Sequence, residues 1–112
     1  MKTKRMSSDN EKARRKFRAT SKWRKFRNYI ANKYDKKDAI TQKPLRKGYS
    51  IHHLCTLEGE YQNLEEDRFI PLNKQMHETI HVCFKYQQTD SGFMDRLSYY
   101  VNKMIELNGK KI

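Results

Sequence analysis

The four histidines of this chain occur in two close pairs, and their spacing constrains the fold more than any other feature of the sequence. His52 and His53 are adjacent, and adjacent side chains on an extended strand point to opposite faces. His77 and His81 are four residues apart, so on a helix they project from one face and can share a metal ion. This spacing predicts three imidazoles around one metal and a fourth imidazole that is available as a base.

The excess of positive charge lies entirely in the N-terminal third of the chain. Residues 1–37 contain fifteen Lys and Arg against three Asp and Glu, whereas residues 38–112 contain ten of each sign. Such a basic segment attracts phosphate-bearing partners through counterion release, whatever their sequence. A role on the ribosome or at a membrane surface would produce the same composition, so charge alone does not identify the partner.

Cysteine content, hydropathy and length predict a small cytoplasmic domain. Cys55 and Cys83 form no CxxC pair, which favours two reduced thiols. No apolar run reaches the roughly 18 residues of a membrane span, and the basic N-terminus lacks the apolar stretch of a signal peptide. With 112 residues, of which 36% are hydrophobic, we expect one domain with a small core that a bound metal would help to stabilise.

Apolar periodicity and turn residues predict helices towards both ends of the chain and two strands in the middle. The run Ser8-Asp9-Asn10-Glu11 fits a capping box and would begin a helix near residue 9. Trp23, Phe26 and Ile30 form the apolar stripe of a basic amphipathic helix. The further predicted elements follow this pattern: that helix over residues 21–34, a short strand at 39–41, strands over 49–54 and 69–72, a helix over 73–86, and a last helix from 90 or 91 to Asn108-Gly109.

Two stretches in the centre of the chain carry a family resemblance. SIHHL (residues 50–54) and RFIPLNKQMHETIH (residues 68–81) combine a His-His pair with a Leu-Asn-x3-His-x3-His pattern. This combination resembles the HNH endonucleases, above all the nuclease domain of DNA-cleaving colicins and a group of small phage HNH proteins, over about residues 21–86. The resemblance implies an α+β fold in which a ββα-metal core is flanked by N- and C-terminal helices. A basic, flexible arm would occupy residues 1–20, and residues 21–112 would form one nuclease domain.

The resemblance also implies a role for each histidine. His53 corresponds to the general base that takes a proton from the attacking water, and His52, His77 and His81 correspond to the metal ligands. One divalent metal is expected: Zn²⁺ or Ni²⁺ suits a three-histidine set, and Mg²⁺ or Mn²⁺ could serve in turnover. Relatives often carry a zinc-ribbon cysteine where Asp38 stands, so no structural zinc ribbon is expected.

One position departs from the family pattern. Arg68 stands where the family has the asparagine that supports the hairpin and orients the base, and it could contact the scissile phosphate instead. We therefore group Arg68 with His53 as a catalytic candidate. Asn63 and Asn73 are the candidates for the supporting role.

The expected function is metal-dependent hydrolysis of phosphodiester bonds in double-stranded DNA, with one strand cut per active site. A monomer that acts as a free-standing phage nicking or homing enzyme is expected rather than a toxin. Two alternatives stay open: a metal-stabilised DNA-binding module without catalysis, and a small basic protein that binds RNA or ribosomes. The expected phosphate contacts lie on the amphipathic helix and in the basic arm: Arg24, Lys25, Arg27, Arg14, Arg15 and Lys16.

Overall fold

The computed structural model of the chain describes residues 8–55 and 64–109, with side chains from residue 11 onward. Within these ranges the fold is α+β, as expected, with four α-helices and a two-stranded antiparallel sheet. By its internal contacts the chain divides into two compact units, residues 1–76 and 77–112. The elements follow in the order α1 (Ser8–Arg18), α2 (Ser21–Lys33), β1 (Ser50–His53), a 3-10 helix (Glu66–Arg68), β2 (Phe69–Leu72), α3 (Lys74–Thr89) and α4 (Phe93–Leu107).

Helix α2 confirms the predicted amphipathic helix, and local hydrogen bonds explain its ends. At the start, the Oγ1 of Thr20 accepts the backbone N–H of Trp23 at 3.2 Å. At the end, Asp35 and Lys36 both adopt positive φ angles, 56° and 57°. The N–H of Lys36 donates to the carbonyl of Ala31 at 2.7 Å and closes a Schellman turn, in which glycine is the usual left-handed residue. Glycine at either of these two positions would therefore be less strained than Asp35 or Lys36.

The core of the first unit is built around aromatic rings. The Phe69 ring lies 6.0 Å from that of Trp23 and 4.9 Å, edge to face, from that of Phe26. Phe17 from α1 also meets Trp23, with ring centroids 6.0 Å apart, so the helix in the predicted arm over residues 1–20 packs on this core. Residues 1–7 of that arm lie outside the described residues. The core cluster comprises buried Trp23, Ile30 and Phe69 with the partly buried Phe17, Phe26, Tyr34, Ile51 and Leu64.

The two predicted central strands are confirmed as an antiparallel pair. Their register places Ser50 opposite Leu72 and Ile51 opposite Pro71. The carbonyl of Pro71 accepts the N–H of Ala39 at 2.9 Å and therefore points away from β1. Since the N and O atoms of one strand residue face the same edge, the missing N–H of Pro71 falls on the outer edge of β2 and costs the pairing nothing.

The predicted strand at residues 39–41 is wrong, because a buried carboxylate turns the chain there. The Oδ1 of Asp38 accepts the N–H groups of Ile40 and Thr41 at 2.8 Å each, and its Oδ2 accepts that of Asn73 at 2.7 Å. Burial alone would raise the pKa of Asp38. The backbone donors of Thr41, Asn73 and Ile40 outweigh burial and hold this pKa below its ordinary value of 3.8. Because Asn73 directly precedes α3, Asp38 fixes the point at which that helix begins.

The second unit contains most of α3 and all of α4. Asp90 forms an ion pair with Arg96, and the rings of Tyr86 and Phe93 stack with centroids 5.2 Å apart. An ion pair and a ring stack therefore both stabilise the turn between α3 and α4. Helix α4 begins slightly later than predicted and ends before Gly109, whose φ of 75° provides the left-handed terminus that the sequence indicated. Within the described ranges, no helix combines the length and the apolar character that crossing a membrane requires.

Candidate metal centre

Strand β1 presents its two histidines on opposite sides. His53 lies opposite Phe69 in the strand register, and the two rings stack with centroids 4.3 Å apart and planes 11° from parallel. Since Phe69 is buried in the aromatic core, this stack restrains the orientation of the imidazole. The Nε2 atom of His53 is enclosed by protein.

Helix α3 carries the second pair of histidines one turn apart. The Nε2 atoms of His77 and His81 are 3.3 Å apart, and their ring planes meet at 79°. Two nitrogens bound to one tetrahedral Zn²⁺ at the usual bond length are separated by about 3.3–3.4 Å. Burial lowers the pKa of His77, the positive charge of His81 lowers it further, and Glu78 opposes both. A lowered pKa favours the neutral imidazole, which is the form that binds metals.

His52 completes a possible three-histidine metal site. One ring nitrogen from each of His52, His77 and His81 lies within 4.8 Å of the others. This is the ligand set that the family resemblance implied. Imidazole nitrogens suit Zn²⁺, Ni²⁺ and Co²⁺, and a set of three protein ligands leaves a coordination position for water or a phosphate oxygen. The donor set therefore fits a divalent metal ion.

Arg68 lies where the hairpin meets the 3-10 helix. Its backbone carbonyl accepts the N–H of Leu54 at 2.8 Å, which extends the pairing of the strands one residue beyond His53. Its guanidinium forms an ion pair with Glu65, with Nε and Oε1 2.8 Å apart. This residue, the predicted partner of His53 in catalysis, therefore supports the hairpin with its backbone and carries its charge beside an acidic side chain.

The structure describes one of the two asparagines that were predicted to support the hairpin. The side chain of Asn73 joins the loop before β1: its Oδ1 accepts the N–H of Arg46 at 2.7 Å, and its amide donates to the carbonyl of Pro44 at 3.0 Å. Asn73 thus ties the start of α3 to residues 44–46. Asn63 lies outside the described residues, so its predicted role stays a prediction.

The basic residues predicted to contact phosphate are held in different ways. The guanidinium of Arg27 donates to the backbone carbonyl of Tyr49 at 2.8 Å and lies 3.9 Å from the centroid of its ring. Arg24 donates to the carbonyl of Ala19 at 2.7 Å, and Lys25 is exposed. The other predicted contacts lie on α1, where Arg14 is half-buried and Arg15 and Lys16 are exposed.

Asp38 is the residue near this site whose role the sequence did not reveal. The family resemblance indicated only that Asp38 stands where relatives often carry a zinc-ribbon cysteine. In the structure its carboxylate is buried and accepts three backbone N–H groups. The available signal was local, because an aspartate that precedes two or three turn residues often accepts their N–H groups. What the sequence could not indicate was the third donor, Asn73, which is 35 residues away.

The chain matched no protein-family model, no curated protein and no solved structure in comparisons with each. The chemistry of the site must therefore follow from its own residues. Three imidazole nitrogens within 4.8 Å of one another could hold a metal ion, and a fourth imidazole lies one residue away on β1.

Proposed function

We propose that this protein is a metal-dependent DNA endonuclease of the HNH type, with a ββα-metal core formed by β1, β2 and α3. The observation that carries the proposal is the three-histidine group, with a fourth histidine beside it in the same strand. A three-histidine group alone would also suit a metal store or a structural site. The adjacent His53, restrained by its stack on Phe69, is what favours catalysis.

Each histidine has one task in the proposed mechanism. His52, His77 and His81 would hold the metal, which when bound stabilises negative charge on the scissile phosphate and the leaving oxygen. The Nδ1 atom of His53 takes a proton from the water that attacks phosphorus. The stack on Phe69 holds the imidazole in the orientation for this transfer, and the other ring nitrogen, Nε2, stays enclosed by the protein.

Exposed basic side chains would supply the affinity for DNA. Lys25 on α2 and Arg15 and Lys16 on α1 are exposed and lie in the segment that carries all the excess positive charge. Contacts of this kind bind phosphates without regard to base sequence and weaken steeply as salt concentration rises. Arg27 is bound to Tyr49 and would contribute through the field of its charge and the placement of the loop.

A supercoiled-plasmid assay tests this proposal. Wild type, His53→Ala, His81→Ala and Lys85→Ala are each incubated with EDTA, Mg²⁺, Mn²⁺, Ni²⁺ or Zn²⁺. Lys85 is the matched control, because it is exposed one turn beyond His81 on the same helix. We expect metal-dependent conversion to open circles by wild type and Lys85→Ala, and a loss of about 10²–10⁴-fold in His53→Ala. Cleavage in EDTA, or full activity in His53→Ala, would contradict the mechanism.

A second candidate function, a metal-stabilised DNA-binding module without catalysis, is favoured by the contact between Arg68 and Glu65. If it is correct, wild type binds DNA but cuts with none of the metals. Ni²⁺ or Zn²⁺ would still raise the melting temperature of wild type, because a ligand that binds only the folded state stabilises it, and would not raise that of His81→Ala. Arg68→Asn would then be assayed for recovery of cleavage.

A further inference from the structure

A polar surface cavity lies beside the C-terminal half of α2, entirely within the first unit. Its volume is about 470 Å³, which is within the usual range of small-ligand pockets. None of the residues that line it belongs to the three-histidine group. The residues that line it carry two amides, one ammonium group, one phenol ring and two apolar side chains: Asn28, Asn32, Lys36, Tyr49, Ala31 and Leu45.

The two amides give the cavity the chemistry of a base-reading surface. Asn28 and Asn32 are one turn apart on α2, so they project from the same face of the helix. Each amide combines a donor with an acceptor, which is the pairing that the edge of a nucleobase presents. A simple anion site would need donors alone, so this lining favours a ligand with both kinds of polar group.

Backbone strain places a lysine at the cavity. Lys36 has a φ of 57° in the left-handed end of α2, where glycine would avoid the steric cost of a side chain. Gly48, with a φ of 88°, turns the chain directly before Tyr49. Strained backbone conformations cluster at ligand sites, so a strained residue that lines a cavity is a candidate for contact with a ligand. Lys36 is one of the residues that line the cavity, so the residue retained at this strained position carries a positive charge.

Arg27 holds the aromatic wall in position. Its guanidinium lies over the Tyr49 ring, 3.9 Å from the centroid, and donates to the Tyr49 carbonyl at 2.8 Å. An aromatic ring braced by a guanidinium is a ready surface for stacking a base. Because Tyr49 lines the cavity, this contact also brings a positive charge close to it.

From these four features we infer that the cavity binds one nucleotide. Asn28 and Asn32 contact the edge of the base, Tyr49 contacts its ring, and Lys36 contacts the phosphate. In a nucleic acid the occupant is an unpaired nucleotide, because a base inside a duplex cannot offer its pairing edge and its face to a protein. The inference goes beyond the proposed cleavage reaction and does not depend on it, since the cavity contains no metal ligand.

An NMR titration of the ¹⁵N-labelled protein in EDTA tests this inference, because EDTA removes binding through a metal. The probes are the four deoxynucleoside 5′-monophosphates, with deoxyribose 5-phosphate and inorganic phosphate as probes without a base. We expect saturable shifts at the lining residues with the nucleotides and not with inorganic phosphate. Asn32→Ala should weaken binding by about tenfold, whereas the matched control Asn102→Ala, an exposed asparagine of α4, should leave it unchanged.

Lys36→Gly separates binding from folding. It removes the ammonium group and relieves the left-handed strain, so it should raise the melting temperature while it lowers nucleotide affinity. A lining residue with a purely structural role would not move these two quantities in opposite directions. Equal shifts with inorganic phosphate, or wild-type affinity in both Asn32→Ala and Lys36→Gly, would overturn the inference.

A last comparison identifies the source of the nucleotide. The same titration is repeated with a DNA duplex that contains one unpaired adenine and with its fully paired counterpart. Shifts at the lining residues with the unpaired base alone support a nucleotide within a strand. Binding of the monophosphates without this preference supports a free nucleotide as the ligand of the same cavity.

Discussion

Replacing Asp38 with alanine is expected to destabilise the protein strongly, because its carboxylate accepts three backbone N–H groups while fully buried. A hydrogen bond to a charged group contributes about 1.5–3 kcal/mol to stability. All three hydrogen bonds are partly buried, so the N–H groups that lose the carboxylate regain part of their hydrogen bonding from water. We therefore expect a loss of about 2–4 kcal/mol, rather than the full sum of three bonds.

Urea unfolding in EDTA, followed by the fluorescence of the single tryptophan, measures this loss. Trp23 is buried in the core of the first unit and reports its unfolding. A loss of about 2–4 kcal/mol should also lower the melting temperature by about 10–20 °C. Asp67→Ala, which removes an exposed carboxylate, is the matched control and should stay within about 0.5 kcal/mol of wild type. A loss below about 1 kcal/mol in Asp38→Ala would refute this assignment of bonds.

The pH dependence of the same comparison provides an independent check. Because the pKa of Asp38 is lower in the folded state than its ordinary value of 3.8, its contribution to stability is complete above 3.8. The contribution is lost as the pH falls through the folded pKa. The difference in unfolding free energy between wild type and Asp38→Ala should therefore be constant from neutral pH to about 4 and shrink below it. A difference that shrinks between pH 7 and 5 would show that another group is responsible.

Three further outcomes follow from single residues. The pKa of His77, lowered first by burial and then by His81, should lie below 6.5 in an NMR titration of the metal-free protein. Because His77 takes up a proton more readily in the unfolded chain, the free energy of unfolding should fall as the pH drops from 6.5 through the folded pKa. A titration midpoint of 6.5 or higher for His77 would contradict this prediction. Phe69→Leu removes the stacked ring but keeps an apolar core residue, so plasmid cleavage should fall more than Ni²⁺ affinity; equal losses would argue against restraint of His53. Gly48→Ala meets no atom within 4 Å but forces a φ of 88°, and thermal unfolding should show a loss of about 1–2 kcal/mol, with no change being the contrary result.

The sequence predicted those parts of the fold that depend on local spacing. The apolar stripe through Trp23 and Ile30 predicted α2 almost to its ends, because helical periodicity is a property of neighbouring residues. The same holds for the candidate metal ligands. The i, i+4 spacing of His77 and His81 predicted that their rings would share one face of a helix, and the structure places their Nε2 atoms 3.3 Å apart.

The features that could not be predicted depend on contacts between distant residues. Residues 39–41 have the composition of a strand, but the buried Asp38 captures the N–H groups that a strand would have used. The sequence predicted Arg27 as a contact to phosphate, whereas its guanidinium donates a hydrogen bond to the carbonyl of Tyr49, 22 residues later. Asp35 holds the left-handed position after the helix cap where glycine is usual, and Lys36 repeats the positive φ directly after it, so no rule of turn composition would have predicted this end of α2.

The outer edge of β2 has been made unsuitable for pairing with another chain. An apolar strand such as Phe69-Ile70-Pro71-Leu72 is a hazard when its donors and acceptors face outward, because a second strand can add to it. Here the acceptor of Pro71 is already taken by Ala39, and the donor that a neighbouring chain would need does not exist. The proline thus protects the protein from edge-to-edge aggregation at high concentration, a property that neither metal binding nor catalysis would require.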